Sequence, residues 1–399
     1  MSNRYTPALV VLTSLFFMWG LITSLNDILI PYLKALFDLS YFEAMLIQFC
    51  FFGAYFVMSF PSGYLVEKAG YRRGIIIGLL VAGIGCLGFW PAASLHAYPL
   101  FLLALFVLAS GITLLQVAAN PYVAILGEPA TAASRLNLTQ AFNSLGTTVG
   151  PWVGSILILS IVSTARDASA VQLPYLILAS ALFLIALAFS QFRLPAVSAA
   201  GSSADAQSVA ARERSVWRHR SLVLGAVAIF VYVGAEVTIG SFLVNFIAQP
   251  DIGAMPESRA GQFVSLYWGA AMVGRFIGAA VLRKVSPGKL LAFNAVCAIV
   301  LLAITMTTQG SIAMFAVLAV GLFNSIMFPT IFTLGIAHLG RHTGEGSGVL
   351  CMAIIGGAVV PLLAGHVADL SGIAVSFVIP AACYAYIVYY GLAGHREAA

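Results

Sequence analysis

The stretch "RLPAVSAAGSSADAQSVAARERSVWRHR", Arg193 to Arg220, is the one long polar interval in the chain, and its Ala, Ser and Gly content with a basic end reads as a linker. On its N-terminal side, cutting at polar, Gly and Pro punctuation leaves apolar stretches near 8–31, 43–66, 74–92, 98–126, 137–160 and 173–192. On its C-terminal side the same cuts leave 220–246, 260–283, 288–308, 311–336, 346–369 and 373–394. A helix needs about 20 mainly apolar residues to cross a bilayer. The spacing therefore predicts an all-α membrane protein with 12 transmembrane helices in two six-helix pseudo-symmetric bundles, residues 1–192 and 220–399, joined by a cytoplasmic linker at 193–219.

Composition excludes the main soluble alternatives. Of 399 residues 61% are hydrophobic and 8% charged, against about 25% charged in a soluble domain, so a solvated surface could not be built. The formal charge of +5 does not point to nucleic acid, because the 19 Lys and Arg residues sit in short loops without an interleaved aromatic face. If the N-terminus is cytoplasmic, the outward loops hold only Lys34, Arg166 and Arg259; this places both termini inside, in a cell membrane of the bacterial inner-membrane type. The first apolar run ends in Asn26-Asp27 with no small-residue cleavage site, which reads as a retained helix rather than a signal peptide. Cysteines 50, 86, 297, 351 and 383 lack paired spacing and read as packing residues. Gly83-x-Gly85-x-x-Gly88 imitates a dinucleotide motif, but it lies inside an apolar span, where close helix packing is the better reading. His338 and His342 are four apart without a third ligand, and Asn137-Leu-Thr139 matches a glycosylation acceptor at a cytoplasmic helix start; neither implies a site. No enzyme is indicated.

Features recur between the halves at a nearly fixed offset, as a duplicated module requires. Asp27 and Glu236 are 209 residues apart, while Gly111 and Gly321, and Pro151 and Pro361, are 210 apart. The segment "GYLVEKAGYRR" (Gly63 to Arg73) has a degenerate counterpart in "GAAVLRKVSPGK" (Gly278 to Lys289).

An ionisable group at the centre of a span costs roughly 2.5–3.5 kcal/mol, so each is a functional candidate. Asp27 and Glu236 are the clearest, with Arg275 and Asp369 nearer span ends. A carboxylate at that depth persists if it is protonated, sodium-bound or hydrated, which is the physics of coupling to a cation; a plain interhelical hydrogen bond is the structural alternative. A helix-interior proline leaves the carbonyl four residues earlier without its donor. Pro31 would free the carbonyl of Asp27, and Pro121 that of Val117, oxygens a hard cation such as sodium prefers. Asp27, Asn120 and Gln116 could add side-chain oxygens, giving a Na+ site at Asp27 and Asn120; a packing kink is the competing account. Sugars need partners that both donate and accept. Gln140 and Asn143 share a helical face, as do Gln116 and Asn120. Paired amides at lipid depth suggest a lined cavity, with interhelical bonding as the alternative.

The pattern Gly-x-x-x-(Asp/Glu)-(Arg/Lys)-x-Gly-x-(Arg/Lys)-(Arg/Lys), carried by Gly63, Glu67, Lys68, Gly70, Arg72 and Arg73, resembles the major facilitator superfamily. The segments "LNDILIPYL" (Leu25 to Leu33), "AANPYV" (Ala118 to Val123), "RLNLTQAFNSLG" (Arg135 to Gly146), "YVGAEVTIGSFLVNF" (Tyr232 to Phe246), "YWGAAMVGRFIG" (Tyr267 to Gly278) and "FPTIFTLGI" (Phe328 to Ile336) resemble its fucose/galactose/glucose:cation symporter family, most closely the glucose/galactose branch. The resemblance implies an alternating-access carrier importing a monosaccharide with a cation, acting as a monomer and needing no cofactor beyond that ion. It implies sugar contacts at Gln140, Asn143, Asn26 and Asp27, to which Gln116, Glu236, Asn245, Asn324 and Trp268, as a stacking platform, are added from the residues themselves. Cation coupling falls to Asp27, Asn120, Gln116 and Glu236, and a conformational gate to the Gly63–Arg73 motif with Arg275. Where the fucose branch carries a coupling glutamate this chain has Gln116, and Glu236 stands where that branch has an amide. Sodium is therefore preferred to the proton. A proton-coupled drug or metabolite exporter and a nontransporting sugar sensor are the competing functions on the same fold.

Overall fold

The computed structural model describes residues 6–37, 41–154, 171–191, 216–337 and 339–395, and these form helices and short connections without a strand. Residues 193–215 of the expected linker and His338 lie outside the described residues, as do the side chains of 24–32, which include Asn26, Asp27 and Pro31. Ten helical stretches among the described residues are long and apolar enough to cross a membrane, and Leu9–Thr23 is a shorter apolar helix. By contacts the chain divides into two compact units: Met1–Leu126 with Phe142–Ala196, and Gly127–Ala141 with Val197–Ala399.

The first unit contains α1 (Thr6–Phe37), α2 (Tyr41–Ala69), α3 (Tyr71–Ser94), α4 (Tyr98–Ile125) and α6 (Gln172–Gln191), together with the part of α5 (Ala132–Gly154) from Phe142 onward. Helix α3 packs along α4 and α6. A Cβ on Gly85 would strike the backbone of Leu108, and one on Gly111 the backbone of Ala82, so small residues set the α3–α4 separation. One on Gly83 would meet the ring of Phe183 on α6, and Gly88 faces Ala104. The three-glycine pattern is thus a packing seam. Between α2 and α3 the chain turns on the single residue Gly70, at φ 83°, a conformation that other residues adopt only at a cost. From Leu108 to Ala124, α4 is buried on every face, as expected of a helix without a polar stripe. It runs through Pro121 without interruption.

The second unit contains α7 (Arg220–Ala248), α8 (Glu257–Val281), α9 (Pro287–Thr307), α10 (Gly310–Asn324), α11 (Met327–Ile336), α12 (Thr343–Met352), α13 (Gly356–Ser371), α14 (Ile373–Ser376) and α15 (Val378–Tyr389), the last continuing into a π turn at Tyr390–Gly394. Helix α7 is central, contacting α8, α11, α13 and α15. The stretch 311–336, expected as one span, is broken into α10 and α11 by a turn at Ser325-Ile326. The stretch 346–369 likewise contains a tight 3₁₀ turn, Ala353–Ile355.

Helix α5 starts at Ala132, five residues before the expected 137, because its polar first turns find partners rather than solvent. Ser134 donates to the Ala279 carbonyl (2.5 Å), and Asn137 Nδ2 donates to the Ala133 carbonyl (2.9 Å) and Thr330 Oγ1 (3.3 Å). One close contact recurs in both units. Gly146 lies where a Cβ would strike the Phe17 carbonyl, and Gly356, 210 residues on, where it would strike the Phe230 carbonyl.

Gly85→Val should wedge α3 from α4 and cost about 1–3 kcal/mol, seen as a lower melting temperature of the detergent-purified protein. Gly88→Ala, whose added carbon meets only a methyl group, should cost less.

Candidate functional site

A break in a membrane helix leaves carbonyls without donors, and hydrocarbon supplies none. At the end of α10 three successive carbonyls are met by side chains. Asn294 Nδ2 donates to Phe323 (3.0 Å), the Tyr232 hydroxyl to Asn324 (3.1 Å) and Arg275 Nε to Ser325 (3.0 Å). The last follows from sequence: Pro329, four residues after Ser325, has no N–H to offer that carbonyl.

The side chain of Asn324, fully buried, ties together two other helices. Its Nδ2 donates to the Tyr267 hydroxyl (2.7 Å) on α8, and its Oδ1 accepts from the Tyr384 hydroxyl (2.6 Å) on α15. Tyr232 also lies 2.7 Å from Glu236 Oε1, one helical turn away on α7. With Asn294 on α9, helices α7, α8, α9, α10 and α15 thereby meet at one polar knot. Arg275 is the cation whose charge acts on Glu236, and its Nη1 also reaches the Gln140 carbonyl (3.5 Å).

The expected residues distribute unevenly around this knot. Glu236, Asn324, Arg275 and the backbone of Gln140 belong to it. Trp268 is 40% exposed and packs edge-on against Tyr267, with ring centroids 5.2 Å apart. Asn245 is exposed near the end of α7 and makes no recorded bond in the knot. In the first unit Gln116 and Asn120 are buried one turn apart on α4. Asn143 Nδ2 donates to the Phe16 carbonyl (2.9 Å), so this amide is engaged with α1. Asn26 and Asp27 lie on α1 with side chains outside the described residues. Of the gate motif, Lys68 Nζ sits 4.2 Å from the centre of the Tyr64 ring, Glu67 and Arg73 are exposed, Gly63 is buried and Gly70 makes the turn. Arg72 donates to the carbonyls of Phe189 and Ser190 at the C-terminal end of α6, where a cation also meets the negative end of the helix dipole. Arg275 is a member of the knot, bound to the helix break.

Three tyrosines, at 232, 267 and 384, were not among the residues expected from sequence, nor was Asn294. Tyr232 could have been found, since it lies four before Glu236. Asn294 could also have been found, as an amide in an apolar run, whereas Tyr267 and Tyr384 had no local signal.

The knot lies among helices long and apolar enough to cross a membrane. The sequence model of the Major Facilitator Superfamily matches residues 11–353. The chain is 58% identical over 398 residues to a glucose/galactose transporter of Brucella abortus (strain 9-941), covering 99% of this chain and 96% of the relative. It is 36% identical to the L-fucose-proton symporter of Escherichia coli (strain K12), covering 97% and 92%. The crystal structure of the major facilitator transporter FucP in the outward conformation superposes with a TM-score of 0.88 at 34% identity, over 98% of this chain and 99% of that one. The chain belongs to the Major Facilitator Superfamily, within it to the glucose/galactose branch of the fucose/galactose/glucose:cation symporter family.

Tyr384→Phe should leave Asn324 Oδ1 buried without its donor, and Arg275→Met the Ser325 carbonyl. Each should cost about 1–3 kcal/mol, read as reduced thermal stability, whereas Tyr389→Phe, at an exposed tyrosine, should cost little.

Proposed function

We propose that this protein imports a monosaccharide of the glucose, galactose, mannose or N-acetylhexosamine type across a bacterial inner membrane by symport with a cation, through alternating access. In this reading both termini are cytoplasmic, residues 1–192 and 220–399 are the two bundles that 193–219 links, and the carrier works as a monomer. The observation that carries the reading is a carboxyl group, Glu236, held inside an apolar helix by a knot of hydroxyls and amides, the mix of donors and acceptors that a polyhydroxylated cargo matches. The relatives' names support the sugar class and, through the L-fucose-proton symporter, the proton as the coupling ion.

Sodium, preferred on sequence, rests on Gln116 and on oxygens near Pro31 and Pro121. Helix α4 continues through Pro121, and the sodium reading gains nothing from the relatives. The proton is therefore the reading adopted. Asn26, Gln116, Gln140, Asn143, Glu236, Asn245, Trp268 and Asn324 are the proposed sugar contacts, with Asp27 and Glu236 carrying the coupling charge.

Asp27→Asn should abolish concentrative uptake in vesicles while sugar exchange at equilibrium survives. Concentrative uptake equal to wild type would remove Asp27 from the mechanism. At fixed pH, adding or removing a sodium gradient should leave uptake unchanged; a sodium-driven gain would restore the sodium reading. Transport of lipophilic dyes but not of sugars would favour the exporter.

A further inference from the structure

We propose that Glu236 binds and releases a proton, and that Tyr232 transmits its charge state to the helix break, so that protonation of Glu236 and the state of the α10–α11 junction change together. This rests on the reading of the chain as a cation-coupled carrier and gives one of its two coupling groups a defined mechanical output.

The argument counts hydrogens. The Tyr232 hydroxyl oxygen lies 2.7 Å from Glu236 Oε1 and 3.1 Å from the Asn324 carbonyl. A phenol has one hydrogen to give. If Glu236 is ionised, both neighbours are pure acceptors; the carboxylate, the stronger one, takes the hydrogen and the Asn324 carbonyl is left without it. If Glu236 carries a proton, its O–H donates to the phenol oxygen and the phenol hydrogen goes on to Asn324. Both contacts are then filled, which the ionised acid cannot achieve with the single phenol hydrogen.

Ionisation would loosen the junction in a second way. Among the described residues, the groups that face Glu236 are Tyr232 on its own helix, Arg275 and Tyr267 on α8, and Tyr384 on α15. On α13, the residues beside α7 at this level are Gly356 and Val360, which meet Gly234 and bring no charge. Arg275 is thus the counter-charge, and it now holds the Ser325 carbonyl. A bare carboxylate draws that guanidinium toward itself while it also captures the Tyr232 hydrogen. Two of the three carbonyls at the break would lose or share their donors at once, leaving Asn294 on Phe323. Tyr232 is a positioning residue in this scheme, and the proton sits on Glu236.

The test uses the full-length protein. Infrared spectroscopy of the sugar-free carrier at neutral pH should show a protonated-carboxyl band that Glu236→Gln removes. Tyr232→Phe should shift that band to higher frequency, because the acid loses its acceptor. In an Asp27→Asn background, which takes away the other candidate, glucose and galactose binding followed by thermal shift should weaken about 5-fold or more as pH rises. Adding either Tyr232→Phe or Glu236→Gln should flatten that dependence, and combining them should add nothing. A band unchanged in Glu236→Gln, or a pH dependence that Tyr232→Phe leaves intact, would overturn the proposal. If Glu236→Gln fails to fold, the Tyr232→Phe band shift and pH profile decide alone. A wild-type protein that binds no monosaccharide would sink the sugar-carrier reading, while the infrared result would still decide the proton on Glu236.

Discussion

The constraint from which the rest of this structure follows is that hydrocarbon offers no partner to a carbonyl that has lost its helix donor. Pro329 removes the donor for Ser325, and the turn at Ser325-Ile326 ends α10 one residue earlier. The orphaned oxygens need donors from neighbouring helices, which is why an arginine, an asparagine and a tyrosine occupy positions that would otherwise be filled by Leu or Val. Tyr232 brings Glu236 with it, and the side chain of Asn324, at the break itself, engages Tyr267 and Tyr384. A single break is thus the focus of a knot drawing on five helices, α7, α8, α9, α10 and α15. Replacing one member leaves the others buried and unpaired, so the knot should act as a unit rather than as a sum of bonds.

Both units also pack through glycine seams, the second where Gly321 meets the Tyr267 carbonyl and Gly274 the Leu322 carbonyl. Where α3 meets α4, glycines bring backbones into contact, and where α5 meets α1, Gly146 admits the Phe17 carbonyl. Backbone contact of this kind gains dispersion energy without polar groups and fixes helix separation closely. Gln116 and Asn120 are the exceptions, two amides on a helix buried on all sides, and such placement costs free energy that only function or well-made hydrogen bonds offset. The Gly146 and Gly356 contacts show that the two units also keep a common device at matching positions, as expected of a repeated module.

The spans were legible because hydropathy over about 20 residues reports the solvent directly. The same reading placed Glu236 and Asn324 among the functional candidates, since a polar residue in an apolar run stands out. It missed the tyrosines because a phenol in such a run reads as an apolar ring, and only the fold reveals which hydroxyls converge. The break at Ser325-Ile326 was available in principle: the proline rule applied to Pro31 and Pro121 gives Ser325 when applied to Pro329. What the rule could not say is which proline interrupts a helix, since α4 absorbs Pro121 and continues. The start of α5 was set too late for a related reason, because Ser134 and Asn137 look like loop residues until their buried partners on other helices are known.

At the centre of the account is the proposal that carboxyl groups within the membrane take up a positive ion that crosses with the cargo. The most direct test is the current produced when glucose or galactose is added to proteoliposomes on a solid-supported membrane, with pH and sodium equal on both sides. The account requires positive charge to enter with the sugar, in a current that grows as the bath is acidified. Sugar entry without any charge movement would contradict it.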